Sequence, residues 1–355
     1  MVCNNPLYIE DVRRTAGISL DWDKLTGKTF LISGATGLIG SFLIDVLMFR
    51  NAEYGQGIKA HAVGRNPETA KARFHDYAGD SSLTFTAHDI SLPFEDFAGK
   101  YDYVLHMASN THPLAYSSDP VGTITANIMG LHNMLEFARG HDNERFMFAS
   151  SVEVYGENRG DTEYFSEDYC GSIDISKARS GYCEAKRCGE TLCQSYIQQY
   201  GMNIAIPRFS RTYGPTMQMT DTKAISQFIR KGLSGESIIL KSEGNQLYSY
   251  SYVSDAVSGL LTVLLMGENG TAYNISDERS DLTLKNLAEI IANHSGQKVI
   301  FELPDEKERR GYSPATKALL NPSRLKALGW SAHYGIEGGI VRTLNILSGV
   351  HLSRD

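Results

Sequence analysis

The sequence predicts an α/β fold, a doubly wound parallel sheet carrying a smaller C-terminal α/β cap, and three observations predict it. The first half alternates short apolar runs with helix-period segments, the pattern of a parallel sheet covered by helices. One of those runs, Thr29-Phe30-Leu31-Ile32-Ser33, passes straight into Gly34-Ala35-Thr36-Gly37-Leu38-Ile39-Gly40, three glycines spaced G-x-x-G-x-x-G at the entry to a helix. After Pro207 the alternation breaks into loops and smaller elements, as a segment lying over the strand ends would.

Taken in order, strands are expected at residues 28–33, 59–64, 83–86, 101–107, 145–150 and 203–207, with helices at 38–50, 122–139 and 182–200 between them. Residues 247–266 read as a strand followed by a helix and 272–275 as another strand, so the chain is expected to return there to the first domain. The resulting plan is a polar, partly helical extension (1–27), a dinucleotide-binding domain (28–207 with the returning segment at about 247–275), and a substrate-binding part (208–246 and 276–355). The extension carries no recognisable chemistry, and the chain has neither internal repeats nor low-complexity segments.

Composition narrows the class. A chain of 355 residues can bury a substantial core, and its net charge of −7 argues against a nonspecific nucleic-acid surface. No apolar run reaches membrane-spanning length and the N-terminus lacks the apolar centre of a signal peptide, so the expectation is a cytoplasmic protein with no membrane partner. Five cysteines, an odd number, argue against a disulfide framework. Cys183, Cys188 and Cys193 recur every five residues, which scatters them around a helix, and no histidine follows at zinc-site spacing, so no metal is expected.

The glycine-rich turn reads as a cradle for a dinucleotide. Gly34 permits the tight strand-to-helix turn, Gly37 lets the backbone approach a pyrophosphate, and Gly40 lets the helix pack close to the strand. Gly34, Thr36, Gly37, Leu38, Ile39 and Gly40 are therefore the first candidate cofactor contacts. Downstream, Tyr182 and Lys186 are spaced to share one helix face. A neighbouring ammonium and an oxidised nicotinamide both favour the phenolate, which would let Tyr182 take a proton from a substrate hydroxyl as hydride leaves the same carbon.

With these residues in place the chain resembles the extended short-chain dehydrogenase/reductase superfamily that modifies nucleotide sugars: epimerases, 4,6-dehydratases and UDP-glucuronate decarboxylases. The resemblance runs from about residue 28 to about 339 and rests on SGATGLIG, LHMAS, NIMGLHNMLEFA, ASSVEVYGE, GYCEAKRCGE, RTYGPTM, YSYVSDAV and LKALGW. The decarboxylase branch is the most similar, through SEDY before the tyrosine helix and TYGPTM after it. The resemblance implies a Rossmann-type fold, a bound NAD or NADP, a nucleotide-sugar substrate and a homodimer. It implies that Ser151 hydrogen-bonds the reacting sugar hydroxyl beside Tyr182, that Lys186 is the electrostatic partner of Tyr182, and that Glu153 serves as a base at C5. It also implies that Asp89, Ile90 and Ala108, with Tyr182 and Lys186, contact the cofactor, that His112 borders the nicotinamide and substrate, that Asn127 supports the site, and that Arg309 or Arg310 grips the nucleotide diphosphate.

The departures are equally informative. Val152 stands where dehydratases carry an Asp, which disfavours 4,6-dehydration. Val63-Gly64-Arg65-Asn66 lacks the ribose-binding Asp of NAD-specific relatives, and Arg65 suits a 2′-phosphate or a stack on adenine, which makes NADP a serious alternative. Arg211 replaces the usual asparagine before T-Y-G-P, and Tyr248 replaces an arginine that contacts substrate anions. One positive charge is gained and another lost among the candidate substrate contacts.

The resulting functional expectation is an NAD(P)-dependent enzyme that passes through a transient 4-keto nucleotide sugar to decarboxylation or epimerisation and recycles its cofactor. The alternatives are an NADP-dependent reductase or dehydrogenase with net redox turnover and, set against the intact Ser151, Tyr182 and Lys186, a nucleotide-sensing protein without catalysis.

Overall fold

The computed structural model describes residues 2–95, 97–109, 111, 116, 118–302 and 316–351. In chain order the elements are α1 (Pro6–Ala16), β1 (Thr29–Ser33), α2 (Leu38–Tyr54), β2 (Lys59–Gly64), α3 (Pro67–Arg73), β3 (Leu83–Ala87), β4 (Tyr103–His106), α4 (Pro120–Gly140), β5 (Arg145–Phe148), β6 (Ser150–Ser151) and α5 (Ser180–Tyr200). They continue with β7 (Ile204–Phe209), β8 (Arg211–Tyr213), α6 (Ala224–Leu233), β9 (Ile238–Leu240), β10 (Leu247–Tyr252), α7 (Val253–Met266) and β11 (Ala272–Ile275). The last are β12 (Asp281–Thr283), α8 (Leu284–Ser295), β13 (Val299–Phe301), β14 (Lys317–Ala318), α9 (Ser323–Lys326) and α10 (Ile336–His351).

The main sheet runs β11-β7-β5-β4-β1-β2-β3 with every pairing parallel, and β6 lies beside β7. Its central strands β1, β4 and β5 are buried along nearly their whole length, as in a parallel sheet covered on both faces, whereas the edge strand β3 is partly exposed. In β1, Phe30 and Ile32 enter the core shared with Phe42 and Val46 of α2 and Leu260 of α7. Leu31 points the other way, into a second cluster with Val104, Phe146 and residues Leu131 and Met134 of α4. Strand order reverses between β1 and its neighbours β2 and β4, and ligands in such sheets sit in the crevice beyond the strand ends at that point.

The strand at the start of 247–275 departs from expectation. β10 does not join the main sheet but forms the centre of a second one, between antiparallel β12 and parallel β14, with β8 also paired to it. The cause is local: a single residue, Ser210, separates β7 from β8, so the chain steps from one sheet into the other, and β10 pairs with that continuation through Tyr250 opposite Arg211. α7 and β11 do return to the main sheet, where Asn274 lies opposite Arg208. β9 and β13 form a small parallel pair.

The N-terminal segment is also more than a polar extension. Asn5 caps α1 by accepting from Leu7 N at 2.9 Å, and Pro6 occupies the first turn, where its missing N–H costs nothing. Tyr8, Val12 and Ala16 recur every four residues and are buried with the main core. Two buried carboxylates fasten the helix. Asp45 of α2 accepts from Tyr8, from Arg73 and from Tyr77 Oη at 2.9 Å. Asp11 of α1 accepts from Tyr252 Oη at 2.6 Å and Tyr334 Oη at 2.9 Å and pairs with Arg342 at 2.9 Å. α1 thereby ties the first half of the main sheet to β10 and α10, residues far away in sequence. Among the described residues, no helix is long and apolar enough to cross a membrane.

Candidate active site

The ends of β1, β4 and β6 open into one cavity of ≈ 1060 Å³, closed on the other side by residues of α6, β9 and β10. The glycine-rich turn forms its floor. Gly34 has φ +72, and a Cβ there would lie 2.7 Å from Ala108 N and 2.7 Å from the Met107 carbonyl carbon, so the turn after β1 touches the end of β4 only because the residue is glycine. A Cβ on Gly40 would lie 2.4 Å from the Gly34 oxygen, which explains the third glycine. Gly37 is the N-cap of α2 and has no side chain to accept from the first turn. Thr36, Gly37, Leu38, Ile39 and Gly40 all line the cavity, so an uncapped helix N-terminus of 17 residues meets it, which fits a pyrophosphate group.

Ser151, Tyr182 and Lys186 line the same cavity. Ser151 closes β6, while Tyr182 and Lys186 project from successive turns of α5 and are both buried. Lys186 Nζ donates to the Ala149 carbonyl at 2.8 Å, lies 4.7 Å from the centre of the Phe148 ring and 5.8 Å from that of Tyr182. Burial pushes the Lys186 ammonium down to a pKa of about 8, against the opposing influence of Glu190 and Cys193. In the protein alone, burial pushes the Tyr182 hydroxyl above the ordinary phenol range, the Ser151 hydrogen bond opposes this, and the Glu153 charge adds to it. Lys186 alone does not make Tyr182 acidic.

Glu153 is enclosed by partners. Its backbone N donates to Ser151 Oγ at 3.3 Å, and its Oε2 accepts from Arg179 Nη2 at 3.0 Å and Cys183 Sγ at 3.3 Å. Arg211 Nη2 stands 3.7 Å from Oε1. Burial works against the carboxylate, but Arg179 and Arg211 overcome it and hold its pKa below the ordinary range. An amide at this position would therefore remove an ion pair as well as a base. Arg211 itself lies over Tyr248, Cζ 3.5 Å from the ring centre, so the two exchanged positions meet across β8 and β10.

The sequence did not single out Arg179 or Tyr116. Arg179 precedes Tyr182 by one helical turn, a spacing that puts both on one side of α5, whereas nothing in the local sequence marks Tyr116, whose ring lies 5.0 Å from that of Tyr182. Arg65 lines the cavity mouth at the end of β2 and is exposed, with Asp89 and Ile90 nearby in the lining. Asp89 Oδ1 accepts from Ser91 N at 2.9 Å, which with burial opposing holds its carboxyl below the usual range. Ser109 donates to buried Asn127, whose amide donates to Thr123 O, so Asn127 anchors the segment after β4 to α4. His112, Arg309 and Arg310 lie outside the described residues. All five cysteines are free, and among the described residues no group of acids, histidines and cysteines is arranged to hold a metal.

Residues 30–276 match the model of the NAD dependent epimerase/dehydratase family. The chain belongs to that family. Among curated relatives it is 30% identical over 322 residues to UDP-glucuronic acid decarboxylase 1 of Xenopus tropicalis, covering 90% of this chain and 72% of that one. It is 32% identical over 314 residues to UDP-glucuronic acid decarboxylase 5 of Arabidopsis thaliana, covering 87% and 86%. Its fold matches a UDP-glucuronic acid 4-epimerase from Bacillus cereus in complex with UDP-glucuronic acid and NAD, with a TM-score of 0.76 at 22% identity over 91% of this chain and 99% of that one. It matches a dTDP-glucose 4,6-dehydratase from Streptomyces venezuelae with a TM-score of 0.77 at 20% identity, covering 89% and 96%.

The two kinds of glycine constraint separate experimentally. Gly55 has φ +64 with open space around it, so Gly55→Ala should cost only the left-handed penalty of about 1–2 kcal/mol. Gly34→Ala adds a backbone clash and should cost at least about 2 kcal/mol more. Urea unfolding of the two variants checks this, and equal losses would show that the β1 turn does not need to touch β4.

Proposed function

We propose that this family member oxidises a nucleotide sugar at C4, alters the resulting ketone by decarboxylation or epimerisation, and returns the hydride, so that the cofactor ends as it began. The observation that carries the reading is the meeting of Ser151, Tyr182 and Lys186 in one cavity with the glycine cradle. The names of the curated relatives support the nucleotide sugar and the decarboxylation arm.

A nicotinamide cofactor held along Gly34–Gly40 supplies the hydride acceptor, the donor of the return step and, while oxidised, a positive charge. Ser151 orients the sugar hydroxyl. Tyr182 takes its proton, a role that its buried, otherwise weakly acidic hydroxyl performs only where positive charge gathers around it. Lys186, fixed on the Ala149 carbonyl, keeps one such charge close by. On a route that inverts C5, Glu153, kept ionised by Arg179 and Arg211, accepts the C5 proton that the neighbouring ketone acidifies. On the decarboxylation route the C5–carboxylate bond breaks, carbon dioxide leaves, the electron pair of that bond is held as the C4 enolate, and C5 is then protonated by water. Val152 in place of an acid argues against dehydration. The reading extends to a cytoplasmic homodimer, supported by five free cysteines and by the exposed apolar side chains Val121 and Met129 on α4.

Arg65 favours a second reading of the cofactor. An exposed guanidinium at the end of β2 suits a 2′-phosphate, which supports NADP and, with it, a reductase with net redox turnover.

Tyr182→Phe keeps the packing and removes the ionisable oxygen, so turnover of UDP-glucuronic acid should fall by about 10²–10⁴-fold while cofactor affinity changes by no more than a few-fold. Wild-type turnover by the variant would remove Tyr182 from the chemistry. For the cofactor, Arg65→Ala should weaken NADP binding roughly ten- to hundredfold and leave NAD binding nearly unchanged, as read by fluorescence titration. Equal changes for both cofactors would show that Arg65 does not read a phosphate.

A further inference from the structure

The wall of the cavity next to Tyr182 holds an uneven charge. Arg179 and Arg211 face the two oxygens of a single carboxylate, Glu153, and no other acid pairs with either guanidinium among the described residues. The three groups therefore carry one net positive charge in a mostly buried setting. Arg179 Nε and Arg211 Nη1 are both buried with no acceptor, a costly state for charged donors. Each guanidinium is nonetheless held in place from one side, Arg179 by the ring of Tyr116 at 4.5 Å and Arg211 by that of Tyr248 at 3.5 Å. The two guanidinium groups thus present donors that Glu153 does not use.

We propose that Arg211, backed by Arg179, forms a subsite for a carboxylate carried by the sugar ring next to the reacting carbon, and that Arg211 is the residue that distinguishes acidic from neutral sugars. This rests on the nucleotide-sugar reading above and deepens it. Arg211 is the freer of the two arginines: its 3.7 Å separation from Glu153 is too long for a hydrogen bond, whereas Arg179 is bonded at 3.0 Å. It can turn its donors onto an incoming carboxylate while the Arg179–Glu153 pair stays intact. The planar fork of a guanidinium matches a carboxylate through two parallel hydrogen bonds.

The position favours the sugar over the diphosphate as the source of that anion. Tyr116 touches both Arg179 and Tyr182, and the Glu153 backbone donates to Ser151, so the pair borders the groups that would handle the reacting hydroxyl. The cap side of the same cavity carries lysines of its own, Lys223, paired with Asp221 at 2.8 Å, and Lys231, paired with Glu236 at 3.2 Å. The Tyr248 exchange acquires a purpose as well. β8 supplies the guanidinium, and β10 supplies the ring on which it rests.

The test is calorimetric titration of the NAD-saturated full chain carrying Tyr182→Phe, which prevents turnover, with UDP, UDP-glucose and UDP-glucuronic acid, before and after adding Arg211→Asn. With Arg211 present, UDP-glucuronic acid should bind about ten- to hundredfold more tightly than UDP-glucose. Arg211→Asn should erase that difference while UDP and UDP-glucose stay within about threefold of their former affinity. Should the asparagine variant fail to fold, Arg211→Lys carries the test: it keeps the charge without the fork and should weaken only the acidic sugar. Equal affinity for the two sugars with Arg211 present, or a parallel loss of UDP affinity in the variant, overturns the subsite while leaving the nucleotide-sugar reading standing. Failure of all three nucleotides to bind overturns both.

Discussion

The geometry of the site depends on one buried ammonium. Among the described residues Lys186 donates to the Ala149 carbonyl just beyond β5 and lies over the Phe148 and Tyr182 rings. A charge taken out of water is kept only where its few partners are fixed, so α5 cannot slide along the sheet without losing them. Neighbouring residues enforce the same register. Gly189 lets the helix settle onto Phe148, since a Cβ there would lie 2.6 Å from the ring, and Glu190 receives both arms of Arg208 from β7 at 2.8 and 2.6 Å. Tyr182 is one turn away from Lys186, so whatever fixes the lysine also sets where the phenol meets Ser151.

The other half of the site is set by close backbone approach. Gly34 brings the β1 turn against the end of β4, and the cap is fastened to this floor by Thr216, which donates to Leu38 O at 2.7 Å, and by Lys223, which reaches Thr111 Oγ1 at 3.2 Å. α1 adds a connection outside the family-matched region, since its Asp11 holds Tyr252 at the end of the strand that carries Tyr248 and Tyr250. Displacement of α1 would thus be felt at β10, on the wall of the cavity.

What the sequence revealed and what it hid follow one physical division. Features set by local chemistry were legible: the turn glycines need particular backbone angles and contacts, and Tyr182 and Lys186 share a face because of helical spacing alone. β10 was misplaced because an apolar run states that a strand is buried, not which sheet it joins, and that choice was made by the one-residue step at Ser210. The Asp11 cluster was hidden because its partners Tyr252 and Tyr334 are 241 and 323 residues away. Glu153 was recognised as an acid near the chemistry, but its ion pair with Arg179 is a tertiary contact that the local sequence does not state. The same holds for Tyr182, whose acidity depends on a degree of burial that no motif encodes.

The central claim is that hydride leaves C4 and comes back to it within one turnover. The most direct measurement is turnover of UDP-glucuronic acid carrying deuterium at C4, with the product examined by nuclear magnetic resonance. The expected result is product with the deuterium still at C4 and no net reduction of cofactor. Product that has lost the label, with reduced cofactor formed in equal amount, would contradict the closed cycle and establish net oxidation instead.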